Sequence, residues 1–209
     1  MAKDLDPKCK KCRREGIKLF LKGEKCFSPK CPVIRRNYPP GLHGPKRRSR
    51  PTEYGLQLRE KQKAKRIYGI LEKQFKGYYS KSMAKKGDTG EILQQYLEMR
   101  FDNVIYRANF AKSRKQARQM VSHGLFLVNG KNVNIPSYQL NPKDEISIKP
   151  SKIKVKLFNN LEKNIEKQNI QSWISLDSKN KTIKILNKPK GEEIEQTFNP
   201  RLIVEFYSR

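Results

Sequence analysis

The chain has 209 residues, of which 47 are lysine or arginine and 20 are aspartate or glutamate, so its formal net charge is +27. Self-repulsion of this size destabilises a compact chain unless a polyanion offsets it, which indicates nucleic acid as the partner. The sequence lacks a run of about 18 apolar residues and a signal-peptide hydrophobic segment, so we expect no membrane partner. It also lacks nucleotide-binding glycine motifs and any acid, base or nucleophile constellation, so we expect no small-molecule substrate and no enzyme.

The N-terminal segment, residues 1–50, combines 16 basic and 4 acidic residues with all four cysteines of the chain. Cys9 and Cys12 form a C-x2-C pair, and Cys26 and Cys31 form a C-x4-C pair thirteen residues later. This spacing is typical of a four-thiolate site, so we predict one structural zinc ion, with an iron–sulfur cluster as the alternative. Two disulfides are disfavoured without a secretory signal, and a redox pair is disfavoured without a βαβ context.

The stretch 32–51 is rich in proline, glycine and arginine, which prevents a continuous helix, so we expect an extended arm there. A helix is predicted from its N-cap Thr52 to about Arg66, and a second one over 71–83. After a break at 86–90, apolar residues recur at helical spacing from Leu93 to Ala108, in one helix or two.

Residues 113–135 carry the clearest functional pattern. Ser113 and Gln116 form a capping-box signature, and Gly124 is placed to end the helix. The apolar stripe of this helix is Ala117, Met120 and Val121, and its other side presents Arg114, Lys115, Arg118, Gln119 and Ser122, with His123 at the end. Such a face suits a phosphate backbone, because arginine binds phosphate oxygens in pairs and amides reach sugar and base edges. Two short strands around Asn129-Gly130 are predicted to form a hairpin.

Towards the C-terminus we predict a strand at 145–149 and a helix from Ser151 through Leu161 and Ile165. Residues 172–176 and 182–186 alternate like strands. Asn199-Pro200 reads as the N-cap and first residue of a last short helix.

These motifs resemble a known family. The S4 RNA-binding module of translation proteins is similar to AKSRKQARQMVSHG and VNGKNVNIPSY. The whole chain resembles the four-cysteine form of the bacterial small-subunit ribosomal protein S4 family, through the cysteine quartet and RRNYPPGLHG, YGLQLREKQKAKRIYGILEKQF, KGDTGEILQQYLEMRFDNVIYRANF and LIVEFYSR.

The resemblance implies an α+β fold in three parts. A four-cysteine knuckle with an extended basic arm would occupy 1–45, and a helical RNA-binding domain 46–97, completed by the tail at about 178–209. The S4-type module, with helices packed on a small, mainly antiparallel sheet, would occupy 98–177. Lys143 stands where the family often has glycine, and Leu125-Phe126 is more apolar than the usual pair, so one polar RNA contact is expected to be absent.

The resemblance also implies a structural constituent of the cytoplasmic small ribosomal subunit. It would bind a helix junction in the 5′ domain of 16S rRNA early in assembly. It would also lie near mRNA where the message enters, contact ribosomal proteins S5 and S3, and influence decoding accuracy. Two other classes stay open: an RNA-modifying enzyme carrying the same module, and a zinc-bearing nucleic-acid-binding regulator.

We expect RNA contacts from the arm, the lysine-rich helix and the S4-type module. The arm would supply Arg35, Arg36, Tyr38, His43, Lys46, Arg47, Arg48 and Arg50. The first long helix would supply Tyr54, Arg59, Lys61, Lys63, Lys65 and Arg66. The module would supply Arg107, Arg114, Lys115, Arg118, Gln119, Ser122, His123, Asn129 and Lys131.

Overall fold

The computed structural model describes residues 4–46, 50–153, 155, 158, 171–177, 180–194 and 196–209. The chain divides into two compact units: Met1–Leu93 with Glu195–Arg209, and Gln94–Ile194. Helices and an antiparallel sheet confirm the predicted α+β class. No helix in the described ranges has the length and apolar character needed to cross a membrane. The finer three-part division stays a prediction.

The first unit is built from helices. In chain order the helices of the described residues are α1 (Lys8–Glu15), α2 (Glu24–Phe27), α3 (Pro32–Arg35), α4 (Glu53–Tyr68), α5 (Glu72–Met83), α6 (Thr89–Glu98), α7 (Phe101–Arg107), α8 (Arg114–Ser122) and α9 (Pro200–Ser208). The first five and α9 belong to this unit, α6 crosses its boundary, and α7 and α8 lie in the second unit. The predicted helices at 52–66 and 71–83 are therefore confirmed.

Helix α9 packs on α4 within the first unit. Asn199 caps α9 as predicted, because its Oδ1 accepts a hydrogen bond from the Arg201 N–H at 3.0 Å. Ile203 of α9 is fully buried, and the amide of Gln57 on α4 donates to Glu205 at 3.0 Å. Helix α9 is thus held against α4 by both the burial of an apolar side chain and a hydrogen bond.

The second unit contains a five-stranded sheet, and every pairing in it is antiparallel. Its strands are β1 (Phe126–Val128), β2 (Lys131–Asn132), β3 (Glu145–Ile148), β4 (Ile174–Asp177) and β5 (Thr182–Ile185), in the order β2-β1-β3-β5-β4. Strand β5 thus belongs to this sheet, whereas the predicted boundaries group its residues with the tail.

The core of the second unit is centred on Phe126, which is fully buried. Its ring contacts the rings of Phe101, Phe110 and Phe158 at centroid distances of 6.2, 6.1 and 6.0 Å. Near-perpendicular aromatic pairs of this kind add to the free energy gained by burial. Leu125 is also buried, so the apolar pair that departs from the family pattern serves the core.

Two turns of the second unit have left-handed residues. Asn129 and Gly130 have φ of +49° and +76°, which confirms the predicted hairpin turn between β1 and β2. Lys143 has φ of +75°, a conformation that favours glycine. The helix predicted from Ser151 begins as a short 3-10 helix, Pro150–Lys152, and the rest of that prediction, through Leu161 and Ile165, lies outside the described residues.

Candidate nucleic-acid interface

Helix α8 carries the basic face that the sequence predicts to bind RNA. Ser113 caps it as predicted, because its Oγ accepts a hydrogen bond from the Gln116 N–H at 3.3 Å. The Gln116 side chain returns to the Lys112 N–H at 2.9 Å, one residue before the position that a capping box uses. Gly124, with φ of +63°, follows the helix end as predicted. The inward stripe is the predicted one and is buried: Ala117, Met120 and Val121.

The outward side of α8 brings together the predicted contact residues of this helix. Lys115, Gln119, Ser122 and His123 are exposed, and Arg114 and Arg118 are half-buried beside them. The Ser122 hydroxyl donates to the Arg118 carbonyl oxygen at 2.9 Å. The helix therefore presents cations and an amide on one accessible surface, which is the chemistry that phosphate and sugar recognition needs.

Both arginines of α8 contact polar side chains of α7, Arg114 by a hydrogen bond and Arg118 by a longer ion pair. The Arg114 Nε donates to the Asn103 Oδ1 at 2.8 Å, and the Arg118 Nη1 lies 3.5 Å from the Asp102 Oδ2. Asp102 and Asn103 were missed by sequence reasoning, because they lie within a segment that reads as an apolar stripe. The presence of these polar residues inside an apolar stripe is the signal by which the sequence could have revealed them.

Arg107 is also expected to contact RNA, but the structure gives its guanidinium an intramolecular partner. Its Nε and Nη2 donate to the two carboxylate oxygens of Glu98 at 3.0 and 2.6 Å. Glu98 is fully buried, so this pair satisfies a charge inside the second unit. Contact between Arg107 and RNA stays a prediction.

The hairpin after α8 carries two more predicted contact residues, Asn129 and Lys131. The Asn129 side chain is used to hold the turn, because its Nδ2 donates to Asp144 at 2.9 Å and its Oδ1 accepts from the Glu145 N–H at 2.9 Å. Lys131 is exposed on β2. Between the two, Lys131 is the better placed to reach a ligand.

In the first unit, the lysine-rich run of α4 forms ion pairs within the protein. Arg59 and Arg66 both pair with Glu15 of α1, whose side chain is almost fully buried. Burial raises the pKa of the Glu15 carboxyl, although Arg66 and Arg59 act to lower it. These two arginines therefore join α4 to the cysteine-bearing segment.

Three lysines of the same run also pair with carboxylates. Lys63 lies 2.6 Å from Glu60, and Lys65 lies 3.0 Å from Glu72. Lys61 is buried, donates to Glu72 at 2.8 Å and lies over the Phe206 ring at 4.4 Å. The interior position of Lys61 differs from the predicted surface role, because α9 covers it.

The arm residues Arg35, Arg36, His43, Lys46 and Arg50 are exposed, as is Tyr54. Instead of running fully extended, the arm contains α3 and turns at 41–46. Arg13 holds it, donating to the carbonyl oxygens of Arg36 and Tyr38 at 3.2 and 3.1 Å and lying over the Tyr38 ring at 4.7 Å. The predicted contacts of Arg47 and Arg48 fall outside the described residues.

The four cysteines line one small cavity in the first unit, together with Lys8, Lys22 and Lys25. Burial raises the pKa of the Cys12 thiol, and the other three sulfurs raise it further, against a hydrogen bond from the Leu19 N–H that lowers it. The thiols are thus near neighbours. As the side chains stand in the described ranges, no group of three or more His, Cys, Asp or Glu residues is placed to hold a metal ion.

Comparison with known proteins gives these surfaces a family context. Residues 3–98 match the family described as "Ribosomal protein S4/S9 N-terminal domain", and residues 99–146 match the "S4 domain". The chain is 48% identical over 209 residues to the small ribosomal subunit protein uS4 of Natranaerobius thermophilus, with 100% of both chains covered. It is 52% identical to the protein of that name in Dictyoglomus turgidum and 46% identical to the one in Thermus thermophilus, again with full coverage of both chains. The chain therefore belongs to the bacterial uS4 family.

Proposed function

We propose that this chain is a structural constituent of the cytoplasmic small ribosomal subunit, that it binds ribosomal RNA directly, and that it is not an enzyme. The observation that carries the RNA contact is the exposed basic side of α8, where two arginines lie one helical turn apart beside buried polar partners. The ribosomal role is supported by relatives named small ribosomal subunit protein uS4, which are 48% and 52% identical to this chain over its full length.

The charge of the whole chain acts together with this local face. A formal charge of +27 attracts RNA from a distance and makes binding strongly dependent on salt. Much of the charge on α4 is balanced by Glu15, Glu60 and Glu72, so α4 contributes fewer phosphate contacts than its sequence indicates. The exposed arm and α8 are the better placed surfaces.

Sedimentation tests the ribosomal role. A tagged copy expressed in a bacterium should move with free small subunits and with whole ribosomes at about 150 mM salt. Recovery of the chain only at the top of the gradient, with no ribosomal RNA, would contradict the proposal.

We also propose the finer contacts that the family resemblance implies. These are the helix junction in the 5′ domain of 16S rRNA, early addition during assembly, a position near the incoming mRNA, contacts with ribosomal proteins S5 and S3, and an effect on decoding accuracy. Chemical probing of naked 16S rRNA with and without the chain tests the first of them. Protection is expected at the 5′ domain junction, and protection confined to other domains would contradict it.

A structural zinc ion bound by Cys9, Cys12, Cys26 and Cys31 is our proposal for the N-terminal segment. Its support is the ligand spacing, the cavity that the four cysteines share, and the proximity of the other three sulfurs to Cys12, whose pKa they raise. The metal would stabilise a segment of three short helices, because coordination of thiolates supplies folding free energy that so small a core does not. The sulfurs would have to turn towards a common point for the ion to bind.

Metal analysis of the purified chain tests this site. We expect one zinc per chain, loss of zinc in Cys12→Ser, faster hydrogen exchange over residues 4–45 in that variant, and an unchanged second unit. His43→Ser, a change at an exposed position of the same segment, is the matched control and should keep the metal. Iron with visible charge-transfer absorption would indicate the iron–sulfur alternative, and unchanged zinc in Cys12→Ser would refute the four-thiolate site.

A further inference from the structure

Four buried polar residues form a cluster at the junction of α6 and α7 in the second unit. This buried polar cluster consists of Glu98, Arg100, Asp102 and Asn103, whose exposed fractions are 0, 0, 4 and 1%. Burial of charged groups costs free energy even when they are paired, and apolar residues of similar volume often serve stability equally well. The position of the cluster beside two arginines of α8 points to a role other than stability.

One branch of the cluster ends at Arg114. The Asn103 Nδ2 donates to the Glu98 carboxylate at 2.6 Å and to the Glu98 carbonyl oxygen at 2.9 Å. Because the amide nitrogen is committed to these two acceptors, the amide oxygen has to face the other way. There it accepts the hydrogen bond from the Arg114 Nε at 2.8 Å. The Arg114 guanidinium also lies over the Tyr106 ring at 4.6 Å, so two neighbours fix its direction.

The other branch ends at Arg118. Arg100 holds Asp102 with two hydrogen bonds, from Nε at 3.0 Å and from Nη2 at 2.7 Å. The Asp102 Oδ2 that accepts from Arg100 also lies 3.5 Å from the Arg118 Nη1, as an ion pair without a hydrogen bond from that nitrogen. Each branch therefore reaches one of two arginines that lie one turn apart on α8.

Both carboxylates of the cluster have a two-point arginine partner: Glu98 pairs with Arg107, and Asp102 pairs with Arg100. What the cluster offers Arg114 is the neutral amide oxygen of Asn103, which orients the guanidinium. What it offers Arg118 is the Asp102 carboxylate, which already has a closer partner.

We propose that Asn103 is a positioning residue for RNA binding. It does not contact the RNA; it fixes the guanidinium group of Arg114 before the RNA arrives, while Asp102 is a charged neighbour of Arg118. The side-chain entropy lost in ordering Arg114 is then lost during folding and not during binding, which strengthens the complex. This inference rests on the proposed RNA-binding role of α8.

A double-mutant cycle between Asn103 and Arg114 tests the proposal in the full-length chain. The affinity for a transcript of the 16S rRNA 5′ domain is measured for wild type, Asn103→Ala, Arg114→Ala and the double variant, all below the lowest melting temperature of the set. Loss of the charge-assisted contact should weaken binding about tenfold in Arg114→Ala. Loss of the pre-ordering alone should weaken it about two- to tenfold in Asn103→Ala. The double variant should bind no more weakly than Arg114→Ala, because Asn103 acts through Arg114.

Two variants complete the design. Asn180→Ala, which removes the same side chain in the turn between β4 and β5, should leave RNA affinity unchanged. Asn103→Ser keeps a small polar group and replaces the alanine variant if that one does not fold, with the same expected non-additivity. A purely structural role of Asn103 would instead reduce affinity by the same factor in both Arg114 backgrounds.

The outcomes separate this inference from the proposed function. Weaker binding by Arg114→Ala with full affinity in the Asn103 variant overturns the positioning role alone. An equal loss from the Asn103 change in both backgrounds also overturns it. Wild-type affinity in Arg114→Ala overturns the α8 interface and the positioning role together.

Discussion

Replacement of Arg118 by alanine should weaken RNA binding much more than it weakens folding. Asp102 keeps both hydrogen bonds from Arg100, at 3.0 and 2.7 Å, when the longer 3.5 Å contact with Arg118 is lost. The buried carboxylate therefore stays paired, and we expect the free energy of unfolding to fall by at most about 1 kcal/mol. Loss of a phosphate contact should weaken RNA binding about tenfold.

The assay is a salt titration of the affinity for 16S rRNA 5′-domain transcript, with urea unfolding in parallel. If Arg118 neutralises one phosphate, the slope of log K against log salt should become shallower by about 0.7–0.9. Lys184→Ala is the charge-matched control, since this exposed lysine lies on β5 and pairs with Glu145 at 3.5 Å. An unchanged slope and affinity, or a loss of stability as large as the loss of binding, would mean that Arg118 is not a phosphate contact.

Three changes test the fold. Lys143→Gly should raise the free energy of unfolding by about 0.5–1 kcal/mol in urea titrations, because a lysine at φ of +75° is strained; equal or lower stability would contradict this. Burial raises the Glu72 pKa, but hydrogen bonds from Lys61, Tyr207 and Lys65 outweigh it and lower the pKa from 4.5 to about 2. The free energy of unfolding of the wild type should therefore fall as the pH is lowered from 4.5 to about 2, and Glu72→Gln should lack this part of the fall. Profiles of stability against pH that run parallel in the two proteins would argue against this role of Glu72. Thr52→Ala removes the α4 cap and should cost about 1 kcal/mol by thermal melting; no change would mean that the cap is dispensable.

Features set by neighbouring residues could be predicted from the sequence. The Ser113 cap, the Gly124 helix end and the Asn129-Gly130 turn follow from side chains that act within a few positions along the chain. The four cysteines line one cavity, and the metal ion that their spacing predicts stays a prediction.

Features set by distant residues could not be predicted in the same way. Lys61 lies in a basic run that looks solvated, but α9 brings Phe206 over its ammonium group and so buries it. Asn103 looks like one polar residue in an apolar stripe, and its function depends on Glu98 before it and Arg114 after it. The charge composition predicts nucleic acid as the partner, whereas only the fold shows which lysine and arginine side chains already pair with carboxylates.

Lys143 adopts a left-handed conformation although a lysine prefers a negative φ, so its sequence does not predict it. Its N–H donates to the Ile185 carbonyl oxygen at 2.8 Å, and the Asn141 N–H donates to Asp144 at 2.7 Å in the same turn. These bonds hold the turn that leads into β3 against the preference of a lysine.

If this chain recognises structured small-subunit RNA, it should prefer that RNA to duplex DNA of equal charge, and a competition measurement compares the two. The full-length chain is mixed at about 150 mM salt with labelled 16S rRNA 5′-domain transcript and with unlabelled competitors, either the same RNA or duplex DNA of equal phosphate content. The RNA should displace the label at far lower concentration than the DNA does. Equal displacement by the two would show that binding depends on charge alone and that the chain does not recognise RNA structure.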